Sequence, residues 1–208
     1  MRNNLIYTFI FLCGSINAQI NTFRPSVIIK NNGSQIECIA KYPASSYSDF
    51  INYKINENGK ILKMKSDEIK TIRYILKDDK SIEKELLPYI NLLDKNKDKP
   101  DCFAPMWMEV LVRGSVTLYA TEEISKASRG QTTSKTFHFY CKREHEEHAS
   151  RIAYISQRGN FNVYKMEADK YFADSPDISQ KIKDEIEGYL AKDIVNIVKE
   201  YNAEKSCQ

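Results

Sequence analysis

The chain has 208 residues, 42% of them hydrophobic, and a formal net charge of +3 at pH 7. Lysines and arginines alternate with acidic residues along the chain instead of forming a basic segment. This balance argues against a nucleic-acid partner and against an anionic membrane surface, so we expect neither.

The first eighteen residues, MRNNLIYTFIFLCGSINA, have the layout of a secretory signal peptide. Arg2 precedes an apolar run from Leu5 to Cys13, and small or polar residues follow as far as Ala18. The run is shorter than the roughly 20 apolar residues that a membrane-spanning helix needs. We therefore expect cleavage after Ala18. Ile16 stands at the third position before this bond, where a small residue is preferred, so the exact bond stays open. The mature chain is expected to be periplasmic or extracellular and to contain no membrane span.

Residues 19–158 are predicted to form one strand-rich domain. It begins with the hairpin SVIIKNNGSQIECIA, in which Asn32-Gly33 favours a type I′ turn. Three further strands are predicted, FINYKIN, ILKMK and KTIRYIL, and Ser66 before Asp67 and Glu68 can start one short helical turn. The alternating inward-facing residues expected are Ile51, Tyr53 and Ile55 in FINYKIN, and Ile72, Tyr74 and Leu76 in KTIRYIL.

The second half of this domain is predicted to continue the same ladder. MWMEVLVRGSVTLYATE is expected to form two strands around a turn at Arg113-Gly114, and IEKELLPYI, FHFYCKRE and RIAYIS one strand each. DKNKDKPDC and EISKASRGQTTSK are expected surface loops. Short strands at intervals of about ten residues are typical of an antiparallel sheet.

Residues 159–208 are predicted to form a helical segment packed on the sheet. VYKMEADKYF is interpreted as a short helix, and SPDISQKIKDEIEG as a longer one with Ser175 at its N-cap, Pro176 in its first turn and Gly188 at its end. A last helix is expected in LAKDIVNIVKEYN. The predicted apolar stripes of the last two helices are Ile178, Ile182 and Ile186, and Leu190, Ile194, Ile197, Val198 and Tyr201.

Four cysteines follow the predicted signal peptide, and in an oxidising compartment they can pair. Strand parity directs Cys38 and Cys141 toward the core. Cys102 lies in a loop and Cys207 in the tail, where an exposed disulfide and free thiols are both consistent with the sequence.

The segment HFYCKREHEEH contains the three histidines of the chain. His138 and Cys141 point to opposite faces of a strand, so they cannot share an ion. His145 and His148 are three residues apart and can bind a metal weakly across a turn, but the histidines of the zincin motif HExxH are four apart. The alternative is that KREHEEHASR forms the polar tip of a hairpin.

Motifs for catalysis are not found in the sequence. A Cys141–His145 nucleophile and base pair conflicts with the inward direction of Cys141, and no nucleophile elbow, phosphate loop or dinucleotide fingerprint occurs. Tyr119, Tyr154 and Trp107 can bind glycan or peptide if exposed, or pack in the sheet. No catalytic, cofactor-binding or metal-binding residue is therefore assigned, and no cofactor is expected.

Four segments resemble a group of exported proteins from Bacteroidota-type bacteria: NNGSQIECIAKYP, RGSVTLY, YFADSPDISQKI and IVKEYN. The resemblance extends over most of residues 19–208 and rests on structural motifs. It implies a strand-rich domain followed by C-terminal helices, a cell-envelope location and no established activity, and it lends no catalytic residue. Members of the group often carry Gly at the position of Cys38 and Cys at that of Ser175.

The predicted fold class is α+β, an antiparallel sheet or open barrel of short strands followed by two or three C-terminal helices. The predicted function is that of a non-enzymatic cell-envelope module that binds or scaffolds an unknown envelope protein or glycan. A metal-binding protein using His145 and His148, and a hydrolase of unknown type, are the alternatives.

Overall fold

The computed structural model describes residues 22–92, 102–125, 134–158 and 161–206. The predicted signal peptide, Cys207 and most of the two predicted polar loops lie outside these residues. The chain divides into two compact units, with the boundary between Leu86 and Leu87.

The first unit is an antiparallel sheet with the strand order β6-β5-β1-β2-β3-β4. Two single 3₁₀ turns interrupt it, at Ser66–Glu68 and Lys77–Asp79, and the first of them is the helical turn that the sequence predicts. The strands are β1 (Arg24–Lys30), β2 (Gln35–Ala40), β3 (Phe50–Lys54), β4 (Leu62–Lys65), β5 (Ile69–Ile75) and β6 (Ser81–Asn91), which crosses the unit boundary.

The core of the first unit follows from strand alternation. Ile28, Ile51, Ile72 and Tyr74 are almost completely buried, and the Tyr74 hydroxyl donates to the Lys41 carbonyl at 2.9 Å. Three predicted inward residues differ. Tyr53 in β3 is only half-buried, Ile55 follows the end of β3 and is exposed, and Leu76 follows the end of β5 and is half-buried. The rest of the apolar core of this unit consists of Cys38, Ala40, Tyr42, Met64 and Ile69.

The first hairpin forms where predicted, but its turn is of a different type. Gly33 has φ +82°, whereas Asn32 is not among the described residues with positive φ, and a type I′ turn requires positive φ at both. Gly33 N donates to the Lys30 carbonyl and Lys30 N to the Ser34 carbonyl, each at 2.9 Å. This pattern is a type I turn with a glycine bulge. Asn31 stabilises it, because its side-chain amide donates to the Asp67 carbonyl at 2.6 Å.

The second unit has the strand order β6-β7-β8-β9-β10-β11. Most pairings are antiparallel, but β10 also pairs with β6 in parallel over three residue pairs. The sheet is not a clear barrel, so the sheet alternative of the α+β prediction is the one that holds. Its further strands are β7 (Cys102–Val112), β8 (Val116–Ser125), β9 (Ser134–Arg143), β10 (Ala149–Arg158) and β11 (Phe161–Met166).

Strand β11 replaces the short helix predicted in VYKMEADKYF, so that prediction is wrong. Its backbone pairs with β10 from Ala153 opposite Met166 to Arg158 opposite Phe161. The open edge of β10 supplies hydrogen-bond partners, and Val and Tyr favour an extended backbone. Turns follow over residues 169–174.

Two α-helices follow, not three: α1 (Pro176–Lys183) and α2 (Ile194–Ser206), with a 3₁₀ turn at Ala191–Asp193 before α2. Ser175 is the N-cap residue and Pro176 the first helical residue, as predicted. The Ser175 hydroxyl does not cap the helix; it donates to a Glu204 carboxylate oxygen at 2.6 Å. No helix within the described ranges is both long and apolar enough to cross a membrane.

Helix α1 ends before the predicted Gly188. Glu185 has φ +52°, its N–H donates to the Ile182 carbonyl, and the Ile186 N–H donates to the Lys181 carbonyl, both at 3.1 Å. These two bonds form a Schellman motif, which terminates a helix. Ile186 therefore leaves the predicted stripe and is exposed.

The larger apolar cluster of the second unit lies between the sheet and the helices, and a smaller one includes Tyr119 and Tyr140, which point to the other face of the sheet. The predicted stripe of α2 is confirmed: Ile194, Ile197, Val198 and Tyr201 are buried, and only Leu190, before the helix, is half-buried. They pack with a set of buried residues from the strands, the turns and α1: Val112, Val116, Leu118, Phe139, Cys141, Ile152, Ala153, Ala168, Tyr171, Phe172, Ile178, Ile182 and Ala191.

Candidate functional site

The turn at residues 144–148 joins β9 to β10, so the prediction of a polar hairpin tip is confirmed. His145 is exposed and His148 half-buried. Across the described part of the chain, no group of three His, Cys, Asp or Glu side chains is arranged to hold a metal ion. Glu146, between the two histidines, is turned toward the protein by hydrogen bonds.

Arg143, the last residue of β9, holds this hairpin tip against the segment that precedes α1. Its backbone N–H and its Nη1 donate to the two Glu146 carboxylate oxygens at 2.8 and 3.1 Å. Its Nη2 donates to the Tyr171 carbonyl and to Asp174 Oδ1, both at 2.9 Å. The guanidinium also lies 4.4 Å from the centre of the Tyr171 ring, a cation–π contact. The cation is thus matched by two carboxylates.

Asp174 connects the same cluster to α2. Its Oδ2 accepts from the Tyr201 hydroxyl at 2.6 Å, and its carbonyl accepts from Lys205 Nζ at 2.9 Å. Burial alone would raise the pKa of Asp174, but the Tyr201 hydrogen bond and the cations of Arg143 and Lys205 hold it below its ordinary value. We call these six residues the Arg143 network: Arg143, Glu146, Tyr171, Asp174, Tyr201 and Lys205.

A second close contact, between α2 and β8, involves the buried Asn202. Its Nδ2 donates to the Val116 carbonyl at 2.9 Å, and its Oδ1 accepts from the Val116 N–H at 2.8 Å. The Asn202 side chain thus satisfies the N–H and the carbonyl of Val116, as the backbone of a neighbouring strand would. A Cβ at Gly114 would overlap this amide, so only glycine allows α2 to approach here.

A surface depression of about 270 Å³ lies between the β7–β8 turn and the β9–β10 tip. We call it the basic depression, because three of its lining residues are cationic and one is acidic. Its lining residues are Arg113, Gly114, Thr117, Tyr119, Lys142, Arg143 and Glu144. No local sequence pattern predicts this depression. Only the pairing of β8 with β9, which sets Thr117 opposite Lys142, brings these residues together.

The cysteine positions follow the strand-parity argument. Cys38 and Cys141 are buried, and burial raises the pKa of Cys38 to about 11 and that of Cys141 well above its ordinary value. At neutral pH both are protonated thiols, which are poor nucleophiles. Cys102 is exposed, but it is the first residue of β7 and does not lie in the predicted loop. These three described cysteines are free thiols. The predicted partner of Cys102, Cys207, lies outside the described residues.

His138 lies on the face of β9 opposite Cys141, as predicted. Its Nε2 is 3.3 Å from Glu123 Oε2. Burial and the nearby Arg151 lower the pKa of His138, and Glu123 counteracts this only in part. The residue therefore contributes to a cross-strand contact between β8 and β9.

Of the three aromatic residues considered from the sequence, Trp107 and Tyr119 are buried and Tyr154 is half-buried, which favours the packing interpretation. Exposed large hydrophobic side chains occur elsewhere. In the first unit, four of them lie on the β3–β4 hairpin, two within its strands and two in its connection. They are Phe50, Ile55, Ile61 and Leu62.

The β3–β4 hairpin has a well-defined local geometry. Tyr53 is paired with Leu62, and the Gly59 N–H closes the connecting turn on the Asn56 carbonyl at 3.0 Å. Ile55 and Ile61 flank this turn, each with 56% of its surface exposed. Strand β4 ends the strand order of the first unit. The apolar residues therefore lie on the outermost hairpin of that sheet.

No protein-family model, no curated protein and no solved structure matches this chain.

Proposed function

We propose that the protein is an exported cell-envelope module that binds another envelope component without catalysing a reaction. The observation that carries the proposal is the exposed β3–β4 hairpin. Contiguous apolar side chains on the surface of a soluble protein often mark a site where a partner binds. Ile55, Ile61 and Leu62 lie around the closed turn of this hairpin, whereas Phe50 lies at the other end of β3 and on the opposite face from Leu62.

The chemistry of the hairpin favours a protein over a glycan as the partner. Ile55, Ile61 and Leu62 are aliphatic and offer neither hydrogen bonds nor an aromatic face for a sugar ring. Phe50 adds one aromatic ring at the other end of β3. Burial of apolar surface contributes about 25 cal/mol per Å². Because only a few side chains are involved, we expect a weak or regulated protein contact.

Two features of the sequence support the export part of this proposal. The signal-like start of the sequence and the resemblance to exported proteins of Bacteroidota-type bacteria both indicate the envelope. The metal-binding and hydrolase alternatives rest on the sequence alone.

The proposal is tested with the double substitution Ile55→Ser and Ile61→Ser. Both side chains are more than half exposed, so folding is expected to be retained. Two interface residues of this kind together contribute enough that capture of a specific envelope protein should weaken roughly tenfold or more. The measurement is quantitative pull-down from envelope extract with mass spectrometry.

The control is the double substitution Val163→Ser and Ile186→Ser, which removes two similarly exposed apolar side chains from the second unit. It should leave capture unchanged. Equal capture by the wild type and the hairpin variant would contradict the proposal. Co-sedimentation with insoluble peptidoglycan, lost on Phe50→Ser alone, would identify a glycan partner instead of a protein.

A further inference from the structure

The outer strand of the first unit presents an open backbone edge. Strand β4 is the last in the strand order, and within the described residues no strand pairs with its outer side. Such an edge carries unpaired N–H and C=O groups, which can take up a further strand. The backbone groups and side chains of β4 that line this edge therefore determine what can pair with it.

The register with β3 determines which groups of β4 point outward. The Ser66 N–H donates to the Asp49 carbonyl at 2.8 Å, so the Ser66 backbone faces β3. In an antiparallel pair the backbone groups of successive residues point to opposite sides, so those of Met64 also face β3. Those of Lys63 and Lys65 face the open edge.

A second hydrogen bond leads to the same assignment. Asn52 of β3 stands opposite Lys63, and the Asn52 carbonyl accepts from the Lys41 N–H at 2.9 Å. Lys41 directly follows β2, so the Asn52 backbone faces β2 and not β4. Lys63 and Asn52 are thus a pair without mutual hydrogen bonds, and the N–H and carbonyl of Lys63 are available to another strand.

The side chains along this edge differ between the two faces of the hairpin. Lys63 and Lys65 are exposed on one face, and Leu62 is exposed on the other. Neither lysine has an ion-pair partner among the residues that the structure describes. The two acids that follow, Asp67 and Glu68, lie in the 3₁₀ turn beyond the strand. An added strand would meet cations on one face and apolar surface on the other.

These charges distinguish a second copy of the chain from a different protein. If β4 paired with β4 of a second copy, lysines would stand beside lysines, and like charges on neighbouring strands destabilise their pairing. Lysines on an edge also protect against such self-pairing. A strand with acidic residues at alternate positions instead brings an opposite charge beside each lysine. Charge therefore favours an acidic partner strand over self-association.

We propose that the β4 edge binds an extended segment of another protein as an additional strand, with acidic residues beside Lys63 and Lys65 and apolar residues beside Leu62. Main-chain hydrogen bonds supply the pairing in this mode of recognition, and the side chains select the partner. The inference rests on the proposed function, because it specifies how the partner of the β3–β4 hairpin is held. Leu62 belongs to both surfaces.

The test uses the chain from Gln19 to Gln208 and a short synthetic peptide in which Glu and Val alternate. Hydrogen–deuterium exchange followed by NMR measures the pairing directly. The Lys63 and Lys65 amides should exchange at least about tenfold more slowly with the peptide, because they gain hydrogen-bond partners. The Met64 amide, which already faces β3, should change less. The same peptide with methylated backbone nitrogens cannot pair and should protect neither lysine amide.

The charge requirement is tested with the double substitution Lys63→Glu and Lys65→Glu. At physiological ionic strength it should weaken binding of the Glu/Val peptide roughly tenfold, because two attractive contacts become repulsive. It should also create a preference for a peptide in which Lys and Val alternate. The control is Lys70→Glu with Lys77→Glu, which reverses two exposed lysines of the first unit outside β4 and should bind like the wild type.

The backbone requirement is tested with Lys63→Pro. Proline removes the outward N–H and is tolerated on an edge strand where that N–H faces solvent. Lys63→Ala removes the same charge and keeps the N–H, so Lys63→Pro should bind the Glu/Val peptide more weakly than Lys63→Ala. Equal binding by the two variants would contradict strand addition.

Other outcomes would also overturn the proposal. These are unchanged exchange of the Lys63 and Lys65 amides with the Glu/Val peptide, and equal weakening by the lysine reversal and its control. Protection that rises with protein concentration and needs no peptide would identify a second copy as the occupant instead.

The proposed function fails or stands separately. If capture from envelope extract is lost on Ile55→Ser with Ile61→Ser but not on the reversal of Lys63 and Lys65, the hairpin binds its partner without strand addition, and only the present inference falls. If the peptide protects the Lys63 and Lys65 amides but no envelope protein is specifically captured, only the proposed function is contradicted.

Discussion

Asn202 shows how much a single polar residue can contribute inside an apolar stripe. It sits one position after Tyr201 on the buried side of α2, and both polar ends of its amide are used by Val116. Nothing in the local sequence distinguishes it from a surface asparagine, because its partner is 86 residues away. Its role depends on the packing of α2 against β8.

We expect Asn202→Leu to destabilise the protein by about 2 to 4 kcal/mol. The substitution leaves the buried N–H and carbonyl of Val116 without partners, and each unsatisfied group costs about 1 to 3 kcal/mol. Denaturant unfolding measures the effect. The control is Asn196→Leu, the same change at an exposed position of the same helix, which should alter stability by less than about 0.5 kcal/mol. Equal effects of the two substitutions would show that the amide is not important.

Gly114 provides the space in which the Asn202 amide reaches β8. The sequence identifies Arg113-Gly114 as a turn, which is confirmed, but not the reason for glycine. The reason is the approach of the Asn202 amide, which leaves no room for a Cβ. A glycine required for close packing and a glycine required for positive φ look alike in a sequence.

At the scale of elements, the Arg143 network joins the β9–β10 tip, the segment before α1, and α2. Its strength depends on the ionised state of Asp174, whose pKa is held below its ordinary value. A carboxyl group with a lowered folded-state pKa stabilises the protein above its unfolded-state pKa, here about 3.8, and this contribution is lost as the pH falls further.

Asp174→Asn should therefore reduce stability at pH 7 by about 1 kcal/mol, a modest value because the side chain is half exposed. The difference from the wild type should shrink as the pH falls below about 3.8, where the wild-type carboxyl also becomes protonated. Denaturant midpoints from pH 7 to pH 2.5 check this. Asp184→Asn, at an exposed position after α1, is the matched control and should show no such trend. A pH-independent deficit in Asp174→Asn would argue against the electrostatic explanation.

The elements themselves were predictable to different extents. Alternation of apolar residues was sufficient for β1 to β10, and periodicity at three and four residues was sufficient for α2. The sequence failed at β11, where an available strand edge decided the conformation, and at the end of α1, where Glu185 adopts positive φ without being glycine. Both errors arise from tertiary or backbone effects that local propensity does not contain.

The candidate sites were less predictable than the strands. The sequence directed attention to the histidines of the β9–β10 tip, because three of them occur close together. The structure instead groups Lys142, Thr117 and Arg113, whose proximity depends on cross-strand register. The exposed Ile55 was predicted to face the core, since alternation does not reveal where β3 ends.

At the scale of the whole molecule, the cell-envelope proposal makes a direct prediction. Protein isolated from its native cells should begin at or near Gln19, because a signal peptidase removes the preceding residues. Intact-mass spectrometry of the fractionated native protein measures this. Recovery of chains with Met1 in the cytosolic fraction would contradict export and the proposed envelope partner.

The 86 residues that separate Val116 from Asn202 also have a consequence in time. A ribosome adds about 5 to 20 residues each second, so β8 waits roughly 4 to 17 s for the amide that completes its backbone pairing. During that interval the nascent second unit lacks the helix that completes this pairing. Under the proposed export, the delay leaves time for the polypeptide to reach the translocation channel before the second unit is complete.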